Sequence, residues 1–331
     1  MTRPSVGILG GGVWGSNLIR NFADLGVLRG VCDPDPAALT RIGSAYPMLQ
    51  LESDPFRFLN EPYDALVIAT PAETHAELAT AAMRLGKHVF VEKPLALTPA
   101  EGLELSAIAE ETGVVLFVGH LLLYHPAVRR LLELVRAGEI GEPWHVRSRR
   151  LSFGRLRRHE NVWWSFAPHD VSVVLATFGA EPVASTSFLC GSLSDTIADV
   201  AYAQFTFPGG RSAHVEVNWL DPDKGWRLEV FGTAGVLSIR DGREGAVLTI
   251  TRCGARPASE SGNRLWREAA APVAFEASEP LRAEVTAFLD AITKGAAFPT
   301  DARHGVAVLR ALALADDGTT RPHFLEIAEP A

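Results

Sequence analysis

Residues 10–15 read Gly-Gly-Gly-Val-Trp-Gly, a G-x-G-x-x-G spacing. An apolar run precedes it and a helical pattern follows. In that setting each part has a physical task. Gly10 permits a tight turn, Gly12 lets the backbone approach a pyrophosphate, and Gly15 lets helix and strand pack closely. The helix opening at Val13 and Trp14 presents backbone N–H groups and the positive end of its dipole to phosphate. Asp33 closes the next strand, 18 residues beyond Gly15. Its carboxylate suits the adenosine ribose hydroxyls and repels a 2′-phosphate. Pro34-Asp35-Pro36 follows, with no nearby arginine, so NAD is expected rather than NADP. The competing reading is a strand–helix turn with no ligand.

Lys93 stands before Pro94 at the end of the apolar run VFVEK. Proline restricts Lys93 to extended backbone, and ligands of open α/β sheets sit outside the carboxyl ends of the strands. Lys93 is therefore expected near the nicotinamide end of a cofactor site; a surface lysine at a strand exit is the alternative. At mid-chain, NVWWSFAPHD (161–170) supplies His169. A neutral imidazole can take a hydroxyl proton as hydride leaves the same carbon, although a histidine near a helix start also serves purely structural ends. The preceding run, 147–161, is dense in arginine within an acidic chain. It reads as an anion site, since the planar guanidinium fork matches phosphate oxygens, or as a solvated strand face. Trp163 and Trp164 suit either a stacked ring or the core.

These residues need elements to hold them. The 331 residues are 47 % hydrophobic and 21 % charged, with a formal net charge of -8. That is a soluble globular profile without the basic footprint of a nucleic-acid binder. No apolar run nears the ~20 residues of a membrane span, and the N-terminal run is too short for a signal peptide. Three widely spaced cysteines, Cys32, Cys190 and Cys253, suggest neither disulfides nor a metal site, and a reduced, cytoplasmic protein is expected. Up to residue 120, short apolar strands alternate with helical patterns, predicting a doubly wound α/β Rossmann sheet. Beyond it, runs of β-formers separated by PGG, TAG and DGREG predict an α+β domain with a largely antiparallel open sheet. Domains are therefore expected at 1–120 and 121–331. The segment around 258–272 reads as a polar loop, and helices are expected near 280–294 and 302–315.

The chain resembles the glucose-fructose oxidoreductase / inositol dehydrogenase / MocA family. GILGGGVWG (7–15), Asp33, ATPAETH (69–75), GKHVFVEKPLALT (86–98), VGHLLLYHPAVRRL (118–131), GEIGEP (138–143) and SFAPHD (165–170) carry the resemblance. It implies an NAD(P)-dependent oxidoreductase of sugars or cyclitols, with Lys93 orienting the reacting hydroxyl. Thr70, Pro71, His75 and Glu92 would lie beside the cofactor, although His75 also suits a local hydrogen bond at a helix start. Members commonly carry an aspartate four residues before the catalytic histidine. Here the histidine is His169, the aspartate position holds Ser165, and Asp170 points about 100° away on a helix. The block 150–174 is similar to members that oxidise C3 of UDP-N-acetylglucosamine. Substrate contacts are then expected from Tyr124, Arg149, Arg155, Arg158, Asn161, Ser165 and Asp170, with a sugar or sugar nucleotide as the small-molecule partner. Neither nucleic acid nor a membrane is expected as a partner. Alternatives are an inositol or free-sugar dehydrogenase, a redox-assisted glycosidase and a non-catalytic NAD-binding regulator. A homodimer or homotetramer is expected from the free face of the second sheet.

Overall fold

The computed structural model describes residues 3–153, 160–192, 197–242, 245–258 and 262–316. They fall into two compact units, Met1–Tyr124 with Ser278–Arg310, and His125–Ala277 with Ala311–Ala331.

The first unit begins with β1 (Val6–Leu9), α1 (Val13–Asp24), β2 (Leu28–Cys32) and α2 (Pro36–Ala45). It continues through β3 (Gln50–Glu52), α3 (Pro55–Leu59), β4 (Ala65–Ile68), α4 (His75–Arg84), β5 (His88–Glu92), α5 (Pro99–Thr112) and β6 (Leu116–Gly119). The strands form a wholly parallel sheet in the order 3-2-1-4-5-6, the doubly wound arrangement whose order reverses beside β1. Every residue of β1, β4 and β6 is buried, as strands covered on both faces must be. Local chemistry sets the helix starts. Asp35 and Asp54 cap α2 and α3, each followed by proline at the first helical position. Thr98 and Glu101 form a reciprocal capping box on α5, and Gly113 ends that helix in the left-handed region. The pair β3–α3 has no counterpart in the sequence reading. β3 has three residues, two of them exposed, too few to show a period.

The second unit carries α6 (Pro126–Arg136), β7 (Pro143–Phe153), α7 (Val162–Phe178), β8 (Ala184–Cys190), β9 (Val200–Thr206) and β10 (Ser212–Asn218). Then follow β11 (Leu220–Gly232), β12 (Gly235–Gly242), β13 (Gly245–Ala258), β14 (Gly262–Arg267) and β15 (Ala271–Pro272). Two helices complete the chain, α8 (Pro280–Lys294) and α9 (Ala302–Asp316). The second sheet runs β14-β13-β12-β11-β7-β10-β9-β8, with β15 on β13. It is antiparallel except where β7 lies parallel to β10. Alternation places Ala213, Val215 and Val217 of β10 in the core and leaves Ser212, His214 and Glu216 on the other face. α7 lies against the core side, and its residues are buried on nearly every face, which is why its sequence lacks an amphipathic stripe. The polar segment expected as loop instead forms β14, paired with β13. Edge strands need no apolar face, so composition alone misleads there.

α8 belongs with the first unit for a visible reason. Phe288 packs edge-on against Phe22, Phe90 and Phe117, at 6.4, 5.6 and 5.5 Å between ring centroids. The expected division at 120 assigned this helix to the second domain. An aromatic side chain's partners are set by tertiary packing and leave no local mark.

Candidate active site

The turn after β1 is built as its glycines suggest. Gly10 has φ +100°, and a Cβ there would overlap the Ala69 carbonyl. A Cβ on Gly15 would strike the Gly10 carbonyl oxygen. Gly12 differs: a Cβ would meet nothing within 4 Å. Among the described residues nothing packs over Gly12, so the space above it is open. Val13 and Trp14 are exposed at the helix start. Asp33 braces the loop, its Oδ2 accepting from the Gly11 N–H at 2.6 Å and its Oδ1 from the Asp35 N–H at 2.8 Å. Arg41, which sequence reasoning passed over, donates from Nη2 to the Gly11 carbonyl at 2.9 Å. It comes from α2 and had no motif to flag it.

The exits of β4 and β5 are tied together by His75. Nδ1 lies 2.8 Å from the Pro94 carbonyl and Nε2 lies 3.0 Å from the Thr70 carbonyl. Deep burial lowers the pKa of this ring although both carbonyls favour its protonated form. The neutral imidazole donates to only one of them. The ring thus fastens the backbone of the two exits to each other. Thr70 shares a 2.6 Å hydroxyl hydrogen bond with Thr74, which also donates to the Pro71 carbonyl. Pro71 itself is exposed.

Glu92 is buried at the end of β5. Its Oε1 accepts from Trp14 Nε1 at 2.5 Å, and its Oε2 from the Lys93 N–H at 3.2 Å. Burial pushes this carboxyl up to about 7, against the opposing pull of Trp14 and Lys93. A second buried carboxyl, Glu284 of α8, is held well above the ordinary value by burial and by Glu92. Lys93 follows, half-buried, with a cis bond to Pro94. Tyr124, expected at the substrate, is buried with its hydroxyl 3.0 Å from Thr300 Oγ1, an internal contact.

In the second unit, Asn161 caps α7 by accepting from the Trp164 N–H at 3.0 Å. Trp163 is fully buried and donates to the Leu312 carbonyl at 3.1 Å, while Trp164 donates to Asp316 at 2.9 Å. Both indoles are structural. Ser165 and His169 stand one helical turn apart on α7, Ser165 buried and His169 half-buried. Pro168 has no N–H for the Trp164 carbonyl, so the helical ladder is interrupted just before His169. Asp170 departs from its expected substrate role. It is wholly buried, accepting from Ser148 Oγ (2.5 Å), Trp226 Nε1 (2.7 Å) and Arg150 Nε (2.7 Å). An internal ion pair and donors from two strands, β7 and β11, occupy both oxygens of its carboxylate. Arg149 lies on the opposite sheet face and is engaged by Glu216 at 3.2 Å and Asp221 at 3.4 Å. There Arg147, Arg149, His214, Glu216, Arg227 and Glu229 line an open depression of about 490 Å³. Arg155 and Arg158 lie outside the described residues.

The model of the oxidoreductase family with an NAD-binding Rossmann fold matches residues 5–120, and that of the GFO/IDH/MocA C-terminal domain matches residues 128–238. This chain belongs to the Gfo/Idh/MocA oxidoreductase family. Among its relatives, UDP-N-acetylglucosamine 3-dehydrogenase of Acidithiobacillus ferrooxidans is 28% identical over 70% of this chain and 72% of its own. A solved structure of that enzyme superposes with TM-score 0.84 at 27% identity, covering 96% of this chain and 98% of the other. The NAD(+)-dependent scyllo-inositol 2-dehydrogenase of Bacillus subtilis is 29% identical over 63% of this chain and 65% of its own. A 3-ketoreductase from Actinomadura kijaniata, solved with TDP-benzene and NADP, shares the fold at TM-score 0.79 and 17% identity, covering 98% of this chain and 100% of the other.

The oxidoreductase thus has an NAD(P)-binding Rossmann domain and acts on CH–OH groups. Its residues fit a dinucleotide. The open space over Gly12 would admit a pyrophosphate, the N–H groups opening α1 would face it, and Asp33, just past the end of β2, would reach the ribose. Among the described residues no helix is long and apolar enough to cross a membrane.

Proposed function

We propose that this oxidoreductase uses NAD to oxidise, or in reverse reduce, C3 of a nucleotide sugar of the UDP-N-acetylglucosamine kind. One observation carries the reading: similarity to a dehydrogenase of that substrate over most of the chain, with the second unit included. NAD is favoured over NADP because Asp33 presents a carboxylate where a 2′-phosphate would fall.

When bound, the nicotinamide supplies a hydride acceptor or donor. The chain's residues supply placement and proton handling. Gly10, Gly12, Val13, Trp14 and Gly15 hold the pyrophosphate, and Asp33 the ribose. Trp14 and Glu92 lock the loop to the exit of β5, and His75 locks that exit to Thr70. Lys93 holds and polarises the reacting oxygen. His169 accepts the hydroxyl proton without the carboxylate that Ser165 replaces. Asn161 and Asp170 act indirectly, by fixing the start and the rotation of α7. In this reading the first unit holds the cofactor. The second unit supplies the substrate surface and, through the open sheet face, association as a homodimer or homotetramer.

A second reading, oxidation of a free cyclitol, is favoured by the similarity to scyllo-inositol 2-dehydrogenase. It also gains from Arg149, which is engaged by two carboxylates and so has less to offer a diphosphate. Initial rates with NAD on UDP-N-acetylglucosamine and on scyllo- and myo-inositol separate the two. Turnover of inositols alone rejects the nucleotide sugar.

A further inference from the structure

His120 has no part in the roles assigned so far. It ends the run FVGH directly after β6 and is 1 % exposed, and among the described residues neither ring nitrogen has a hydrogen-bond partner. Glu92 pairs with Gly119 across the parallel strands, so the next residues, Lys93 and His120, leave the sheet side by side. The His304 ring meets His120 edge-on at 5.4 Å, and its Nε2 is likewise unpartnered. A buried imidazole with two unmet nitrogens costs stability. Such groups persist where function uses them.

We propose that His120 is a positioning residue for Lys93: its neutral imidazole accepts a hydrogen bond from the Lys93 ammonium when the cofactor is in place. The proposal rests on the reading of Lys93 as the group that polarises the reacting oxygen. Burial, with the positive charge of Lys93 and the ring of His304 nearby, holds His120 far below the ordinary histidine range. Burial also brings His304 down to about 4. Both rings are therefore neutral at working pH, and a neutral ring always retains one acceptor nitrogen. Other titratable groups on the surrounding elements include His75 on α4, Glu92 on β5, Tyr124 in the turn after His120, Glu284 on α8 and Asp301 before α9. A neutral acceptor favours the charged form of an amine in a dry site. Lys93 then stays protonated to higher pH and points where its charge is used.

The chain has four lysines, Lys87, Lys93, Lys224 and Lys294. NMR of ε-13C-lysine-labelled protein with NADH bound therefore resolves the Lys93 titration, assigned with Lys93→Arg. In His120→Leu the Lys93 midpoint and the alkaline limb of kcat/KM both fall by about one pH unit, while NADH affinity is unchanged. His120→Asn, which retains an acceptor, restores both. If His120→Leu does not fold, His120→Met, a far weaker acceptor, replaces it. A Lys93 midpoint that stays put in the folded acceptor-free variant overturns the proposal. The NMR titration decides this even if no sugar is turned over, an outcome that would count against the proposed function alone.

Discussion

Lys93 and Asp170 were both expected to serve the reaction, yet the structure gives their side chains different surroundings. Lys93 follows β5, half-buried at the strand exit. Its replacement by alanine is expected to lower kcat by roughly 10²–10⁴-fold, with NADH binding kept, as checked by stopped-flow turnover and fluorescence titration. Asp170 faces inward and is spent on Arg150, Ser148 and Trp226. Asp170→Ala leaves the partly buried Arg150 without its partner, and Ser148 and Trp226 without their acceptor, so urea unfolding should show a loss of about 3–5 kcal/mol. A loss below about 1 kcal/mol would mean the pair is dispensable. The sequence reveals why these two are easily confused. Residue type and nearness to His169 recommended Asp170 for substrate, and only the rotation of α7 shows which way it points. Lys93 was legible because a proline and a strand end fix its position.

At the scale of elements, the phosphate loop was the most legible feature, since its glycines answer backbone constraints that spacing records directly. The structure separates their reasons. Gly15 is required by the Gly10 carbonyl, whereas nothing among the described residues requires Gly12. Gly12→Ala should therefore weaken NADH by at least roughly tenfold, about 1.4 kcal/mol, while leaving Tm unchanged. Gly15→Ala should lower both affinity and Tm. Equal behaviour of the two variants in calorimetry and cofactor titration would refute this distinction. α8 was legible as a helix but not as part of the first unit, because Phe288 and Glu284 acquire their meaning only from partners far away in sequence. Glu284 gives that placement a pH signature. The folded chain holds its proton above the ordinary carboxyl value of 4.5, while the unfolded chain releases it there. Stability from this group thus falls as pH rises above that value. Glu284→Gln should gain Tm relative to the parent from pH 5 to pH 8, and a pH-independent difference would contradict the buried acid.

For the whole molecule, burial acts on two sets of groups in opposite directions. His75, His88, His120 and His304 in the first unit, and His125, His145 and His214 in the second, are all lowered from 6.5, chiefly by burial. The unfolded chain binds protons at these sites first, so stability falls as pH drops below about 6.5. Glu92, raised to about 7, and Glu284 oppose this and remove stability as pH rises. The histidines are more numerous, so Tm should peak near neutral pH and fall on the acid side; a peak near pH 5 would contradict this balance. Fold class was readable across the whole chain because strand–helix alternation and hairpin punctuation are local patterns. The substrate was not, because the arginines thought to mark it lie on a sheet face paired with acids or outside the described residues. The most direct test of the function is NADH formation at 340 nm from NAD and UDP-N-acetylglucosamine, in the parent and in Lys93→Ala. The account predicts steady turnover in the parent and severe loss in the variant. NADH binding without turnover of this sugar, or equal rates in both proteins, would contradict it.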